Sequence, residues 1–276
     1  MKTISTADRV SYRRMTTAEL REHFLIETLF HPGRAELYYT DVDRAVVGSV
    51  VPLVAPIVLE GGKEMACDFF CERREAGVIN LGEPGSITVD GVTHRMASRD
   101  CLYIGRGSKA VQFSSDHPEK TAQFYLVSYP AHTAHPTTHA SADQANRVEL
   151  GSARESNHRT IRQYIRPGNI ASCQLVMGFT ELHEGSVWNT FPPHTHDRRT
   201  EVYCYFDLPK DGVVMHFLGE PGETRHLVMR EKQVALSPPW SVHSGAGAGS
   251  YRFVWAMGGE NQVFDDMDKC DMAKLA

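Results

Sequence analysis

An all-β protein is predicted here, made of two tandem β units with a few short helices, and three observations predict it. From Val46 onward the chain is written in short runs of Val, Ile, Phe and Tyr broken by Gly, Pro and Asp-Gly, the pattern of strands and turns. Helical periodicity is confined to a short segment near the N-terminus. Two short echoes recur in the same order in both halves: Glu72-Arg73-Arg74-Glu75 resembles Asp197-Arg198-Arg199-Thr200-Glu201, and Gly82-Glu83-Pro84-Gly85 recurs as Gly219-Glu220-Pro221-Gly222, which suggests duplication of one β unit. Antiparallel units without long helices leave sandwiches, jelly rolls and barrels as the candidates.

Taken in chain order, Thr16 followed by Glu19 is a capping box. It opens a short amphipathic helix through Leu20, Phe24 and Leu25, expected as an N-terminal appendage. Ser86-Ile87-Thr88-Val89 before Asp90-Gly91 predicts a hairpin whose two turn residues need positive φ. A polar, strand-poor stretch from about Ala131 to His158 separates the halves, and a second set of strands begins near Thr160. The expected organisation is one domain over 1–135, a connection over 136–159 and a second domain over 160–276. Gly105-x-Gly107 and the Gly-Ala run from 245 to 249 are expected to be turns.

Composition excludes several function classes. With 29 basic against 34 acidic residues in 276 and no long run of either sign, the chain lacks the basic footprint of a nucleic-acid binder. No stretch approaches about 20 apolar residues, and Met1 to Ser5 do not begin a signal peptide, so a soluble, cytoplasmic protein without a membrane partner is expected. Six scattered cysteines, none in a Cys-x-x-Cys pair, are read as reduced thiols.

The chemistry concentrates in Pro193-His194-Thr195-His196-Asp197-Arg198-Arg199-Thr200-Glu201-Val202-Tyr203. Side chains two apart share a face of a strand, so His194 and His196 point the same way. Glu201 lies an odd number of residues from His196, which requires a bend through 197–200 to re-aim it. A fourth ligand is expected from His243, after the Pro238-Pro239 turn. Imidazole and carboxylate without thiolate suit Zn, Mn, Fe, Co or Ni.

These residues resemble the cupin family, whose first motif is His-x-His followed after three or four residues by Glu and whose second is a Pro and Gly turn leading to His. The second departs from the family pattern, with Trp240 in place of a Gly and Gly247 in place of an Asn. The resemblance extends along nearly the whole chain to the 5-keto-4-deoxyuronate isomerase group of cupins. It is carried by Glu72-Arg73-Arg74-Glu75-Ala76-Gly77-Val78-Ile79-Asn80, Pro193-His194-Thr195-His196 and Gly259-Glu260-Asn261-Gln262-Val263-Phe264-Asp265-Asp266-Met267-Asp268.

What the resemblance implies is two cupin-type jelly-roll barrels and one Zn2+ per chain. The implied reaction converts 5-dehydro-4-deoxy-D-glucuronate, a small sugar acid, to 3-deoxy-D-glycero-2,5-hexodiulosonate. A homo-oligomer, a hexamer by resemblance, is implied as well. The first half offers no His-x-His, and Arg106-Gly107-Ser108-Lys109 stand where a partner of His243 would be sought, so a degenerate domain without metal is expected there. The same ligand set also fits an iron-dependent dioxygenase, and the fold alone fits a non-catalytic sugar-binding cupin.

Glu201 and Tyr203 are the candidate acid and base. Arg162, Gln174 and Tyr205 are candidate substrate contacts, with core packing the stronger reading for Tyr205. Tyr251, Phe253 and Trp255 alternate at strand spacing and are expected in the core. His132, His135 and His139 are expected to be solvated linker residues. Arg198 and Arg199 are read equally as attractors of a carboxylate or as surface charges.

Overall fold

A computed structural model describes residues 1–276. The first unit comprises Met1–Ile4, Thr28–Ala145 and Tyr164–Val176; the second comprises Ser5–Glu27, Asn146–Gln163 and Met177–Ala276. The contiguous segments expected from the sequence differ from this division at residues 5–27, which group with the second unit, and 164–176, which group with the first. No helix is long and apolar enough to cross a membrane.

Each unit pairs a seven-stranded sheet with a four-stranded one. In the first, the strands Arg74–Asn80, Cys101–Ile104 and Phe124–Pro130 belong to the large sheet, and Gly85–Val89, Val92–Met96 and Val111–Ser115 to the small one. Ala76, Val78, Leu102, Ile104 and Leu126 from the large sheet meet Ile87, Val89 and Phe113 from the small one in a single buried cluster. The second unit repeats the arrangement with Arg199–Phe206, Val234–Ser237 and Arg252–Gly259 in its large sheet. Val214–Glu220, Glu223–Met229 and Ser244–Gly247 form its small sheet. Burial of these apolar faces, at roughly 25 cal/mol per Å2 of apolar area, is the main stabilising contribution.

Strand-by-strand equivalence supports the duplication but removes one of the echoes that suggested it. The arginine-rich segments ending in Glu75 and Glu201 both open the same strand of their unit. Gly82-Glu83-Pro84-Gly85, however, precedes Gly85–Val89, whereas Gly219-Glu220-Pro221-Gly222 forms the turn after Val214–Glu220, whose counterpart in the first unit is Asp90-Gly91. The tetrapeptides therefore occupy different places in the fold.

The local expectations hold at two turns of the chain. Thr16 caps the helix Thr17–Phe24, its hydroxyl accepting from Glu19 N at 3.4 Å while Glu19 accepts from Thr16 N at 2.7 Å. Rather than standing apart, this helix belongs to the second unit, with Leu20 and Phe24 buried. Asp90 (φ 47°) and Gly91 (φ 85°) close the Gly85–Val89/Val92–Met96 hairpin with the positive φ pair that a two-residue turn needs. The stretch 131–158 is less bare than its composition suggests: Thr138–Ala140 pairs with Cys101–Ile104 and Asn146–Leu150 pairs with Arg159–Ile165. His139, on the first of these short strands, is tied by its Nε2 to Asp100 Oδ2 at 3.1 Å rather than left to solvent. All six cysteines are free thiols.

Candidate metal centre

His194 and Thr195 form a two-residue strand against Asp268–Lys269, and the chain turns at Asp197-Arg198 before entering Arg199–Phe206. That turn is the bend which the odd spacing of His196 and Glu201 requires. Glu201 is held between Ser237 and Met257 on the neighbouring strands. His243 follows a loop fixed by Val242 N donating to Gly219 O at 2.9 Å and Gly219 N donating to Ser241 Oγ at 2.8 Å. Trp240, the departure from the cupin turn pattern, packs against Tyr12 at 4.8 Å and edge-on to Phe24 at 6.4 Å. A large ring at that position is thus accommodated by the N-terminal segment that joins this unit.

The four expected ligands converge. His194 Nε2 lies 3.1 Å from His196 Nε2 and 3.0 Å from His243 Nε2, and Glu201 Oε1 lies 3.0 Å from His196 Nε2 and 3.5 Å from His243 Nε2. His196, Glu201 and His243 are buried, at 2%, 5% and 1% exposure. Metal–ligand bonds of about 2.0–2.2 Å put ligand atoms roughly 3.0 Å apart at right angles and roughly 3.4 Å apart in a tetrahedron, so the spacing fits one small cation.

Proton placement supports the same conclusion. His196 Nδ1 lies 2.6 Å from Asp266 O and His243 Nδ1 lies 3.4 Å from Ser241 O. A carbonyl only accepts, so each Nδ1 carries the proton and each Nε2 presents a lone pair to the centre. Arg199 Nε also approaches His196 Nδ1, at 3.4 Å, but the shorter carbonyl contact decides the tautomer. Burial, reinforced by His196, pulls the His194 pKa down to about 3. Burial, reinforced by the other two rings, pulls His243 well below its ordinary value. Neutral imidazoles and a carboxylate facing one another without a hydrogen between them fit a divalent cation.

A segment from 259 to 268 frames the centre. Arg199 is fully buried and donates to the carbonyls of Val263 at 2.8 Å, Phe264 at 3.2 Å and Asp266 at 2.9 Å. Arg198 holds Asp266 through both carboxylate oxygens, at 3.1 and 2.9 Å, and Asp268 at 2.8 Å. Neither arginine is a loose surface charge: together they fix the carbonyl that orients His196. Hydrogen bonds from Arg198 and Asn261 hold the Asp266 carboxyl pKa at about 2.

A cavity of about 220 Å3 opens beside the centre, lined in part by His194, His196, Glu201, Tyr203, Thr190 and Arg159. Phe191, Phe253, Trp255 and Phe264 supply much of its apolar wall. Phe253 and Trp255 therefore face the cavity rather than only a packed core. Gly178 makes room for Trp255: a Cβ there would lie 2.5 Å from the indole and 2.2 Å from Arg162 O. Tyr203 is buried and its hydroxyl is 3.1 Å from Thr190 Oγ1; burial raises its pKa, keeping the phenol protonated.

The three expected substrate contacts fall elsewhere. Arg162 has the opposite strand parity from Arg159 and Ile161, which line the cavity. Gln174 lies in the first unit, its Nε2 donating to Pro130 O at 2.6 Å. Tyr205 shares the face of Tyr203, but its hydroxyl is 2.7 Å from His216 Nδ1 in the core. Sequence reasoning missed Arg159 and Thr190; only the strand parity of Arg159 carried a signal. It also missed a second grouping, where Glu149 Oε2 lies 3.5 Å from His158 Nε2 and 3.3 Å from His183 Nε2. There the Thr160 hydroxyl, 2.8 Å from both Glu149 and His183, completes a hydrogen-bond network.

Paired-sheet units of this topology, one of them carrying three imidazoles and a carboxylate on one point, define a double-cupin protein. Solved structures share the fold: an IolB-like protein from Salmonella typhimurium aligns with a TM-score of 0.73 at 12% identity, covering 90% of this chain and 97% of that one. An oxalate decarboxylase from Bacillus subtilis aligns with a TM-score of 0.59 at 11% identity, covering 87% and 78%. The chain belongs to the KduI/IolB family, whose description matches residues 27–275. Among its relatives are the 4-deoxy-L-threo-5-hexosulose-uronate ketol-isomerases of Kineococcus radiotolerans, 52% identical over 95% of both chains, and Lachnoclostridium phytofermentans, 50% identical over 94% of both.

Proposed function

We propose that the protein is a metal-dependent ketol-isomerase of uronate and pectin catabolism that converts 5-dehydro-4-deoxy-D-glucuronate to 3-deoxy-D-glycero-2,5-hexodiulosonate. The observation that carries the reading is the convergence of His194, His196, Glu201 and His243 at the wall of a cavity, in a chain whose relatives bear the ketol-isomerase name. Zinc is the metal proposed, with Mn, Fe, Co and Ni compatible with the same donors. Held by these four residues, it would supply Lewis-acid polarisation of the substrate carbonyl.

The reaction moves a proton from the hydroxyl-bearing carbon to the neighbouring carbonyl carbon. Glu201 is the proposed base for that transfer, and the protonated Tyr203 phenol the proposed relay that gives its proton to the carbonyl oxygen and regains one from the neighbouring hydroxyl. Thr190 holds that phenol in place. The apolar wall excludes water, which strengthens the electrostatic interactions of these groups with substrate. A cytoplasmic homo-oligomer is the proposed form, and light scattering on the purified protein would test its assembly.

Metal analysis and isomerase assays on the native protein and His196→Ala test the reading together. About one zinc per chain with turnover of the uronate, both lost in the variant, supports it. Bound iron with oxygen uptake and no isomerisation would replace it with a dioxygenase. Tight sugar-acid binding without turnover would indicate a binding protein.

A further inference from the structure

Of the cavity's lining residues, Arg159 alone carries a positive charge. The one hydrogen bond of its side chain is from Nη1 to Asn157 O, at 2.8 Å, and no carboxylate of the chain pairs with it. Several other arginines of the same unit have carboxylate partners, among them Arg198 with Asp266 and Asp268, Arg225 with Glu223, and Arg252 with Glu181 and Asp207, while Arg199 spends its donors on three backbone carbonyls. Most donors of the Arg159 fork remain available. Burial pulls its pKa below the ordinary guanidinium value. A cation withdrawn from water without a counter-ion is unfavourable, and an arriving anion offsets that cost.

We infer that Arg159 forms a carboxylate subsite that anchors the acid end of an open-chain sugar acid and so determines which carbon of it meets the His and Glu cluster. A guanidinium fork matches a planar carboxylate through two parallel hydrogen bonds. A phosphate dianion would call for more donors than one arginine in a largely apolar cavity provides. The polar groups of the same lining, His194, His196, Glu201 and Tyr203, then face the carbonyl and hydroxyl oxygens. This inference rests on the uronate reading for its substrate, not for its charge.

The test compares the uronate with its neutral methyl ester on the native enzyme, Arg159→Gln and Arg159→Lys, with zinc content and thermal stability recorded for each. The native enzyme is expected to prefer the acid, and Arg159→Gln to lose about 100-fold or more in kcat/KM on the acid, chiefly through KM. On the ester it should lose little, so the preference collapses while metal and stability are retained; Arg159→Lys should fall between. An equal loss on both substrates, or none on the acid, overturns the subsite. If the native protein turns over neither, the isomerase reading fails, and D-glucuronate and its methyl ester are titrated against tryptophan fluorescence instead. Selective binding of the acid that Arg159→Gln abolishes retains the subsite; equal binding of both rejects it.

Discussion

Glu75 and Glu201 stand near the start of equivalent strands in the two units, and their surroundings are opposite. Glu75 is fully buried and accepts four hydrogen bonds, from Tyr103 Oη at 2.8 Å and from the backbone N–H groups of Cys173 at 2.7 Å, Gln174 at 2.9 Å and Leu175 at 2.9 Å. Glu201 instead faces ring nitrogens whose protons lie on their far sides. One carboxylate is closed off by donors and the other is aimed at acceptors. The same residue type thus serves as an internal tie in the first unit and as a candidate ligand in the second; the histidines around it decide which.

Replacing each carboxylate by its amide is the strongest way to break this comparison. Glu201→Gln is expected to lower isomerase activity by about 1,000-fold and to weaken metal binding, while the metal-free fold keeps its stability. A variant that kept its metal and full activity would remove Glu201 as base. Glu75→Gln is expected to do the reverse, destabilising the fold by on the order of 3–5 kcal/mol, because an amide presents N–H to donors that had a carboxylate. Its folded fraction should keep normal metal content. Denaturant unfolding with metal analysis of both variants separates the outcomes.

Acid should sharpen the contrast between the units. Burial pulls the His216 imidazole pKa to about 3, so as pH falls below about 6.5 the unfolded chain takes up a proton that the folded one refuses. Stability is fully present above that range, declines through it, and stops declining below about 3. At pH 4.5 the expected loss is about 2–3 kcal/mol from this group. None of the first unit's histidines is buried. The three tryptophans, Trp188, Trp240 and Trp255, all lie in the second unit, so fluorescence of metal-free protein should report its acid transition first. His216→Gln should reduce the pH slope. The smallest expected effect belongs to the helix cap: Thr16→Ala should cost about 1 kcal/mol, read as a small drop in Tm with activity unchanged.

How much of this was legible in the sequence depends on whether a signal is local. The His194, His196 and Glu201 arrangement followed from strand parity and one forced bend, and the Thr16 box and the Asp90-Gly91 turn followed from backbone chemistry within four residues. Arg159 lines the cavity and Arg162 does not, a difference hidden in the sequence because alternation says which residues share a face but not which face meets the cavity. Tyr205 has the right parity and the wrong depth, which depends on where His216 arrives from another sheet. Gln174 falls in the first unit, where long-range contacts such as those of residues 173–175 to Glu75 hold the segment and no local signal announces them. The repeated Gly-Glu-Pro-Gly misled for the opposite reason, being a local match with no topological counterpart.

Arg199 grips its segment by backbone carbonyls, not by side chains. The frame around the candidate ligands is therefore indifferent to the identity of residues 263 and 264, while the Phe264 side chain is left to shape the cavity. Such an arrangement is modular: pocket shape can drift, or be varied in a library at Phe264 and Met267, without re-engineering the orientation of His196. Substrate range can in this way evolve separately from the geometry of the four candidate ligands.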